Sequence, residues 1–145
     1  MERLIETNRY LSFSEYGIKE KFDVYELGDY DFSTELDFGG KAAVYIFSKR
    51  DLDSKLNSTY RKQMYEHTII YCGMTGNTDQ RFYGHFKKEG LSKHGANRIC
   101  VHECKKESEA KTLEKDLLNM FNFPLNDKEN DNPKHPDVKK VWEAF

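Results

Sequence analysis

Residues 42–47, with the sequence Ala-Ala-Val-Tyr-Ile-Phe, place the strongest limit on what this chain can fold into. A run of this kind is typical of a β-strand buried on both faces, at the centre of a sheet. Residues 67–72 and 98–104 are predicted to be two further strands. Because both faces of the central strand need to be covered, we predict an α+β fold of the α/β-sandwich type. Its small central antiparallel β-sheet would have about three strands, flanked by helices.

Residues 108–126 predict an amphipathic helix that ends in a short Asn-Phe-Pro turn. One face of this helix carries the apolar side chains of Ala110, Leu113, Leu117, Leu118, Met120 and Phe121. Glu114 falls within the same face, where a carboxylate is uncommon unless it is paired or binds a metal. From spacing alone, a glutamate at the edge of the apolar stripe that reaches water is the commoner explanation.

A second helix is predicted over residues 79–89, after the turn at 75–78. Arg81 and His85 are four residues apart and therefore lie on one face of this helix. Taken in isolation, the simplest explanation of this pair is a solvated polar surface. The third strand carries Cys100, His102 and Cys104 on one face, but these span about 13 Å, which is too far for one zinc ion. We therefore interpret the two cysteines as core residues.

The length of 145 residues predicts one domain, and the charge is divided unevenly along it. Residues 1–40 carry 4 basic and 10 acidic side chains, whereas residues 41–111 carry 14 basic and 8 acidic ones. We divide the chain into an acidic N-terminal arm packed on the core (1–40), a core (41–126) with a basic insert (48–66), and a C-terminal strap (127–145). The basic middle permits a phosphate-binding face.

Three cysteines, an odd number, do not indicate a disulfide framework, so a reducing cytoplasmic location is expected. No apolar run approaches the roughly 18 residues of a membrane span. We therefore expect no membrane association. These features leave a nucleic-acid enzyme, a binding module and an unrelated small α/β protein as open classes.

Two tripeptides lie on the first two predicted strands: Ala43-Val44-Tyr45 and Tyr71-Cys72-Gly73. They are followed by Arg81 with His85, then by Glu114, and then by Pro124-Leu125-Asn126. In this order and local spacing, the chain resembles the GIY-YIG endonuclease family over residues 42–126. Ala43 and Cys72 depart from the Gly-Ile-Tyr and Tyr-Ile-Gly patterns, and neither change removes a side chain that does chemistry. The 26-residue separation of the two tyrosines resembles the small restriction-enzyme branch of the family.

The resemblance implies a divalent-metal-dependent endonuclease that hydrolyses DNA by attack of an activated water, with Mg²⁺ or Mn²⁺ bound by Glu114. Tyr45 would orient the water or accept its proton, since cations nearby lower the pKa of a tyrosine from about 10. His85 would relay that proton, and Tyr71 would contact the scissile phosphate. Arg81 offers a planar guanidinium to the phosphate. Asn126 would brace the site.

DNA is the partner that the resemblance implies, and the basic segments supply candidate contacts. These candidates are Lys49, Arg50, Arg61, Lys62, Lys87 and Lys88. For residues 48–65, a solvated surface segment is an equally good explanation of the same pattern. A restriction-type enzyme, acting as a homodimer to cut two strands, is the first interpretation. A phage, mobile-element or structure-specific repair nuclease, or a non-cleaving relative of the same fold, is the alternative.

Overall fold

The structure, a computed structural model, describes residues 5–27, 42–50, 56–57, 62–63, 66–75, 90–126, 133–138 and 140–144. The strands in these residues are β1 (Ile5–Phe13), β2 (Ile18–Glu26), β3 (Ala42–Arg50), β4 (Leu56–Asn57), β5 (Lys62–Gln63), β6 (Glu66–Thr75), β7 (Arg98–Cys104) and β8 (Lys140–Ala144). The helix α1 spans Glu107–Met120, and a 3-10 turn at Ser14–Tyr16 joins β1 to β2. None of the helices in this described part of the chain is long and apolar enough to cross a membrane.

Six strands close into an antiparallel barrel in the order β1-β2-β7-β3-β6-β8. Its central strands β3, β6 and β7 are the three that the apolar segments predict, so their prediction is confirmed. The prediction of about three strands for the whole sheet was wrong, because β1, β2 and β8 extend it. β8 pairs with β6 on one side and with β1 on the other, and this closes the barrel.

The additional strands come from the segments that the sequence divides off as the N-terminal arm and the C-terminal strap. In β1, Asn8 has a φ of 60°, and the pairing with β2 shifts between Glu6 and Tyr10. This irregularity breaks the alternation by which a strand is normally predicted. β8 carries the charged Glu143 on its buried side, which weakens the same signal. At both ends of the chain, pairing with neighbouring strands therefore forms a strand although the alternation of apolar and polar residues is weak.

The inner face of the barrel shares one hydrophobic core with α1. The helix buries Ala110, Leu113, Leu117 and Leu118, which confirms its predicted apolar face. Each buried leucine contributes about 1.5–3 kcal/mol to the free energy of folding. β3 is buried from residue 42 to residue 48, as its composition predicts. Its outer face has a separate cluster, in which Ala43, Tyr45 and Phe47 pack with Ile70, Tyr71, Ile99, Val101, Leu27, Leu91 and Leu125.

The C-terminal end of α1 is covered by residues 133–138. The backbone N–H groups of Lys134 and His135 donate to the carbonyls of Asn119 and Met120, both at 2.8 Å. Carbonyls in the last turn of a helix lack intrahelical donors, so these bonds satisfy groups that would otherwise need water. The His135 ring also lies 5.1 Å from the ring of Tyr16. The helix that carries Glu114 is therefore fixed at its end by the returning chain.

Candidate active site

Tyr45 and Tyr71 lie on the same outer face of the β3–β6 pair. Their ring centroids are 6.3 Å apart, and Phe47 packs against the edge of Tyr45 at 5.8 Å. Tyr45 has no exposed surface, and Tyr71 is 8% exposed. The structure thus brings together two of the predicted site residues that are 26 positions apart in the sequence.

A β-bulge at Ile70 decides the direction in which Tyr71 points. Phe47 pairs with Tyr71 and Ser48 pairs with Ile69, so Ile70 has no partner on β3. Ile69 packs in the inner core, whereas Ile70 and Tyr71 both pack in the outer cluster. Strict alternation from Ile69 would place Tyr71 on the inner face. The extra residue therefore turns Tyr71 to the outer face, beside Tyr45.

Gly73 gives the ring of Tyr45 the space that it occupies. The two residues are paired across the strands, and a Cβ atom at position 73 would lie 2.5 Å from Tyr45 Oη and 2.7 Å from Cζ. Because Tyr45 is fully buried, its ring has little freedom to move away. Only glycine at position 73 permits this arrangement. The glycine that ends the Tyr71-Cys72-Gly73 tripeptide thus has a packing role at the site.

Asn126 occupies the edge of β6 next to Tyr71. Its Oδ1 accepts a hydrogen bond from the Cys72 N–H at 2.9 Å, and its Nδ2 donates to the Cys72 carbonyl at 2.8 Å. The neighbouring Leu125 N–H donates to the carbonyl of Ile70 at 3.1 Å. Residues 125–126 therefore act as a short additional partner for β6, directly beside the bulge. Asn126 is itself buried, so these bonds form away from water.

Glu114 lies on α1 between the buried Leu113 and Leu117, and its own side chain is half-buried. It therefore lies at the margin of the apolar face. This position fits a carboxylate that reaches water and also one that binds a metal ion. Within the described residues, no group of three or more His, Cys, Asp or Glu is arranged to hold a metal ion.

The predicted DNA contacts fall into separate groups. Lys49 is exposed at the end of β3. Arg50, also predicted as a DNA contact, is only 12% exposed, and its guanidinium lies 3.4 Å from the carboxylate of Glu143. Arg50 is therefore paired within the protein, and its contact with DNA stays a prediction. The described residues do not include Arg61, Lys87, Lys88 or the side chain of Lys62, nor the catalytic candidates Arg81 and His85.

A buried polar network on the inner face was not found by sequence reasoning. His67 lies between two partners, with Nδ1 at 2.7 Å from Ser48 Oγ and Nε2 at 2.9 Å from Glu143 Oε1. The second carboxylate oxygen of Glu143 accepts from Arg9 Nη1 at 2.6 Å and lies 3.4 Å from Arg50 Nη2. We call these five residues the inner network. It joins β1, β3, β6 and β8 by side-chain contacts.

The partners assign the protons within the inner network. An ionised Glu143 only accepts, so His67 donates from Nε2 and its Nδ1 accepts from the Ser48 hydroxyl. Ser48 Oγ lies 3.8 Å from the sulfur of Cys100. Burial raises the pKa of the Cys100 thiol to about 12, so this sulfur stays protonated and can donate to Ser48. Cys100 therefore donates to Ser48, Ser48 donates to His67, and His67 donates to Glu143.

The pKa values of His67 and Glu143 are both lowered. Burial lowers the pKa of His67, and the opposing effect of Glu143 is too small to reverse this, while Arg98 and Arg50 lower it further. Burial acts to raise the pKa of Glu143, but hydrogen bonds from His67 and Arg9 and the nearby charges outweigh it. Near neutral pH, His67 is therefore neutral and Glu143 is ionised.

Two signals in the sequence point to the inner network. His67 is the first residue of the predicted strand 67–72, just before the apolar pair at 69–70, and Glu143 is the single acid in the apolar segment 141–145. Both are the kind of anomaly that Glu114 presents on α1. Their partners are not evident from the sequence, because His67 and Glu143 are 76 residues apart.

The fold and the outer face define a class of protein: a small α+β domain whose central antiparallel strands bring together two tyrosines and a glycine, with an asparagine at the sheet edge. The family model of the GIY-YIG catalytic domain matches residues 42–130, more than half of the chain. This chain belongs to the GIY-YIG family, which confirms the resemblance of its motifs. No curated protein and no solved structure matches it.

Membership of this family indicates an endonuclease-type hydrolase, with DNA as the implied substrate. Nucleases of the family generally depend on a divalent metal ion. The matched region contains both tyrosines, Gly73, Glu114 and Asn126. β1, β2 and β8 lie outside it, and with them Arg9 and Glu143 of the inner network.

Proposed function

We propose that this protein is a restriction-type endonuclease that hydrolyses DNA phosphodiester bonds by direct attack of an activated water, at a site with one Mg²⁺ or Mn²⁺ ion. The observation that carries the proposal is the outer face of β3 and β6. There Tyr45 and Tyr71 lie 6.3 Å apart, Gly73 makes room for Tyr45, and Asn126 binds the strand beside them. This arrangement uses four residues from three separate parts of the family motif.

The donor chemistry of Glu114 fits a magnesium-like ion. Mg²⁺ keeps several waters and commonly takes one or two carboxylates together with phosphate oxygens. Glu114 is a single, half-buried carboxylate, which agrees with such a sparse protein contribution. The ion would supply charge relief on the phosphate. A soft ligand set rich in cysteine would instead have favoured zinc.

The remaining side chains take the roles that water attack on a phosphodiester requires. Tyr45 orients the water or accepts its proton, and His85 receives that proton in turn. Tyr71 contacts the scissile phosphate, and Arg81 offers it a planar pair of N–H donors. Asn126 holds the β6 backbone through both atoms of its amide.

The burial of Tyr45 adds a requirement to this mechanism. With 0% of its surface exposed, the hydroxyl has no direct contact with solvent. Contact of Tyr45 with the attacking water therefore requires the side chains that cover its hydroxyl to move when DNA binds. Such closure and opening steps commonly contribute to the rate of an enzyme.

The two departures from the family motif favour cleavage over a role in DNA binding alone. Cys72 points into the inner core, away from Tyr71, so its replacement of isoleucine changes only core packing. Ala43 lies on the outer face with no exposed surface and adds one methyl group to the cluster. Neither departure removes a group that the proposed mechanism uses.

The basic residues around the insert supply phosphate contacts in this proposal, with Lys49 exposed at its start. The remaining members of the predicted set are Arg50, Arg61, Lys62, Lys87 and Lys88. A homodimer would bring two sites to the two strands of a duplex. Light scattering with and without DNA measures the oligomeric state directly.

Supercoiled-plasmid cleavage with Mg²⁺ or Mn²⁺ tests the proposal. Glu114→Ala and Arg81→Ala are expected to abolish cleavage while DNA binding is largely retained. Asp116→Ala, an exposed carboxylate on the same helix, is the matched control and should cut normally. The proposal fails if both site variants cut at the native rate. Activity that EDTA removes but Glu114→Ala retains would identify a contaminating nuclease.

Sequencing the ends of the cleaved plasmid also distinguishes a restriction-type enzyme from a structure-specific nuclease. Restriction-type cutting predicts that sequenced ends share a short common site. Ends that cluster at unpaired or branched DNA, without a common sequence, would instead indicate a structure-specific nuclease.

A further inference from the structure

Residues 90–97, which we call the 90–97 turn, have a backbone shape that is fixed by hydrogen bonds. The first four residues are helical, and Gly95 follows with a φ of 73°, the left-handed conformation that ends many helices. The Gly95 N–H donates to the carbonyl of Ser92 at 3.0 Å. The Ala96 N–H donates to the carbonyl of Leu91, also at 3.0 Å. These two bonds form a Schellman motif, so the backbone itself satisfies the last carbonyls of the helical residues.

Both ends of the 90–97 turn are held by the rest of the fold. Asn97 Oδ1 accepts from the Arg50 N–H at 2.8 Å, and Nδ2 donates to the Arg50 carbonyl at 3.3 Å. The Asn97 N–H donates to the carbonyl of Ser48 at 3.0 Å. At the other end, Leu91 is fully buried in the cluster of the outer face, which also contains Tyr45. The turn is therefore packed on the cluster that holds the site tyrosines.

The side chain of Lys49 lies over the 90–97 turn at Gly95. A Cβ atom at position 95 would lie 3.4 Å from Lys49 Cδ, 3.7 Å from Cε and 3.9 Å from Nζ. Because Ser48 points to the inner face, Lys49 points to the side of the sheet that carries Tyr45. Four residues of β3 separate Tyr45 from Lys49 by about 13 Å. That distance corresponds to roughly four nucleotides, at about 3.4 Å of helix axis for each.

Lys93 adds a second exposed cation at the same place. It is two residues from Gly95, so the two Cα atoms lie within about 8 Å of each other. A lysine near the end of a helix often serves to cap it, but the Schellman bonds already satisfy this end. Among the residues that the structure describes, neither Lys93 nor Lys49 has a hydrogen-bonded or acidic partner for its ammonium group. The two charges are therefore available to a ligand.

The surroundings of these lysines differ from those of the lysines on α1. Lys111 forms an ion pair with Glu107 at 3.6 Å, and Lys115 stands between two acidic residues in the sequence. Residues 90–98 contain no acidic side chain. An anion that binds at the turn therefore displaces no internal partner. Phosphate groups of a nucleic-acid backbone are the anions that such a cationic edge suits.

We propose that Lys93 and Lys49, placed by the 90–97 turn, bind the DNA backbone beside the active site. The inference rests on the proposed function, from which it takes DNA as the ligand and the outer face as the site. It adds Lys93 to the DNA contacts. Contacts with phosphate position a duplex without reading its sequence. The turn, which packs on the cluster of Tyr45, thereby sets the position of the bound strand relative to the tyrosines.

Binding of a short duplex, followed by fluorescence anisotropy at several salt concentrations in EDTA, tests the contact separately from cleavage. Lys93→Gln removes the charge and keeps a similar helix propensity. A double variant combines it with Lys49→Gln. Lys111→Gln, at an exposed position on α1, is the matched control. Circular dichroism and thermal melting establish that each variant is folded.

We expect Lys93→Gln to weaken binding a few-fold and to lower the slope of log affinity against log salt concentration by about 1. The double variant should lower this slope by about 2, and Lys111→Gln should bind as the native protein does. In plasmid cleavage, Lys93→Gln should raise KM and leave kcat unchanged. The reason is that a contact away from the reacting bond is equally strong before and in the transition state.

A native salt slope in Lys93→Gln, or an equal change in Lys111→Gln, would overturn the inference even if the native protein cuts DNA. A fall in kcat at unchanged DNA affinity would overturn it as well. Binding that depends on Lys93 in a protein that does not cut DNA would support the contact and overturn the proposed cleavage. Absence of DNA binding by the native protein would overturn both.

Discussion

The two faces of the β3–β6 pair differ in both chemistry and origin. The outer face has Tyr45, Tyr71 and Gly73, which come from short motifs within the region matched by the family. The inner face has Ser48 and His67, whose charged partners Arg9 and Glu143 come from the two ends of the chain. The same strands therefore carry a reactive face defined by local motifs and a supporting face defined by long-range contacts.

This difference shows how a family domain is completed by its own flanking segments. The bulge at Ile70 connects the two faces, because it reverses the alternation between Ile69 and Tyr71. Variants of the outer face are therefore expected to change mainly cleavage, and variants of the inner face mainly stability. Variants on each face, at the edge between them and outside both test this relation.

The largest effect is expected from Gly73→Ala on the outer face. The new methyl group would occupy the position of the Tyr45 hydroxyl and ring, so cleavage should fall by at least about 10²-fold. Overpacking should also reduce the free energy of unfolding by about 1–3 kcal/mol. Gly17→Ala is the control, because it is strained by a φ of 83° but has no atoms within 4 Å of the new Cβ. If both variants lose only stability, Gly73 has no special relation to the site.

Asn126→Ala, at the edge between the faces, should have the next largest effect. It leaves the buried N–H and carbonyl of Cys72 without their partners, at a cost of about 1–3 kcal/mol for each group. Chemical denaturation should record the lost stability, and cleavage should fall at temperatures where the variant is folded. Asn119→Ala, exposed on α1, should leave both measurements unchanged. Native cleavage by folded Asn126→Ala would remove the residue from the site.

The inner face predicts a loss of stability in acid. The lowered pKa values of His67 and Glu143 mean that both groups bind fewer protons in the folded state than in the unfolded one. Stability should therefore decrease as the pH falls below 6.5, the ordinary value for His67, and again below 4.5, that for Glu143. Thermal melting across this range measures the change.

His67→Gln should remove the part of the acid loss that begins at pH 6.5. The exposed His94→Gln is its control and should retain the full pH dependence. A melting temperature that is independent of pH in the native protein would show that the inner network does not contribute to stability in the way described.

The smallest effect is expected outside both faces, at the exposed Lys49. Lys49→Gln should weaken DNA binding a few-fold and lower the slope of log affinity against log salt concentration by about 1. Fluorescence anisotropy at several salt concentrations measures both quantities. Lys111→Gln, on α1 near Glu107, is the matched control. An equal change in the two variants would indicate a general charge effect rather than a contact at Lys49.

The central strands and α1 could be predicted from sequence because their signals are local. Residues 42–47 are continuously apolar, and α1 repeats its apolar residues at helical spacing. The tyrosine pair was found from its motifs and spacing, without knowledge of the sheet register. Glu114 is half-buried, which lies between the two explanations that its spacing allowed, and its role as a metal ligand stays a prediction.

The bulge and the inner network could not be predicted for physical reasons. Ile69 and Ile70 are both apolar, so alternation does not show where the extra residue lies. The partners of His67 and Glu143 depend on barrel closure by β8, and that strand contains a charge on its buried side. Arg50 was predicted as a DNA contact because its segment is basic, and the ion pair that it forms with Glu143 depends on the same closure.

The most direct test of the central claim is the single-turnover rate of DNA cleavage by Tyr45→Phe. This substitution removes one hydroxyl from the outer face and keeps the ring that fills the space over Gly73. The predicted result is a fall in rate of about 10²–10⁴-fold with unchanged DNA affinity, as expected for loss of a group that orients water or accepts a proton. Tyr16→Phe, at a distant half-buried tyrosine, should cut normally. Cleavage by Tyr45→Phe at the native rate would contradict the account.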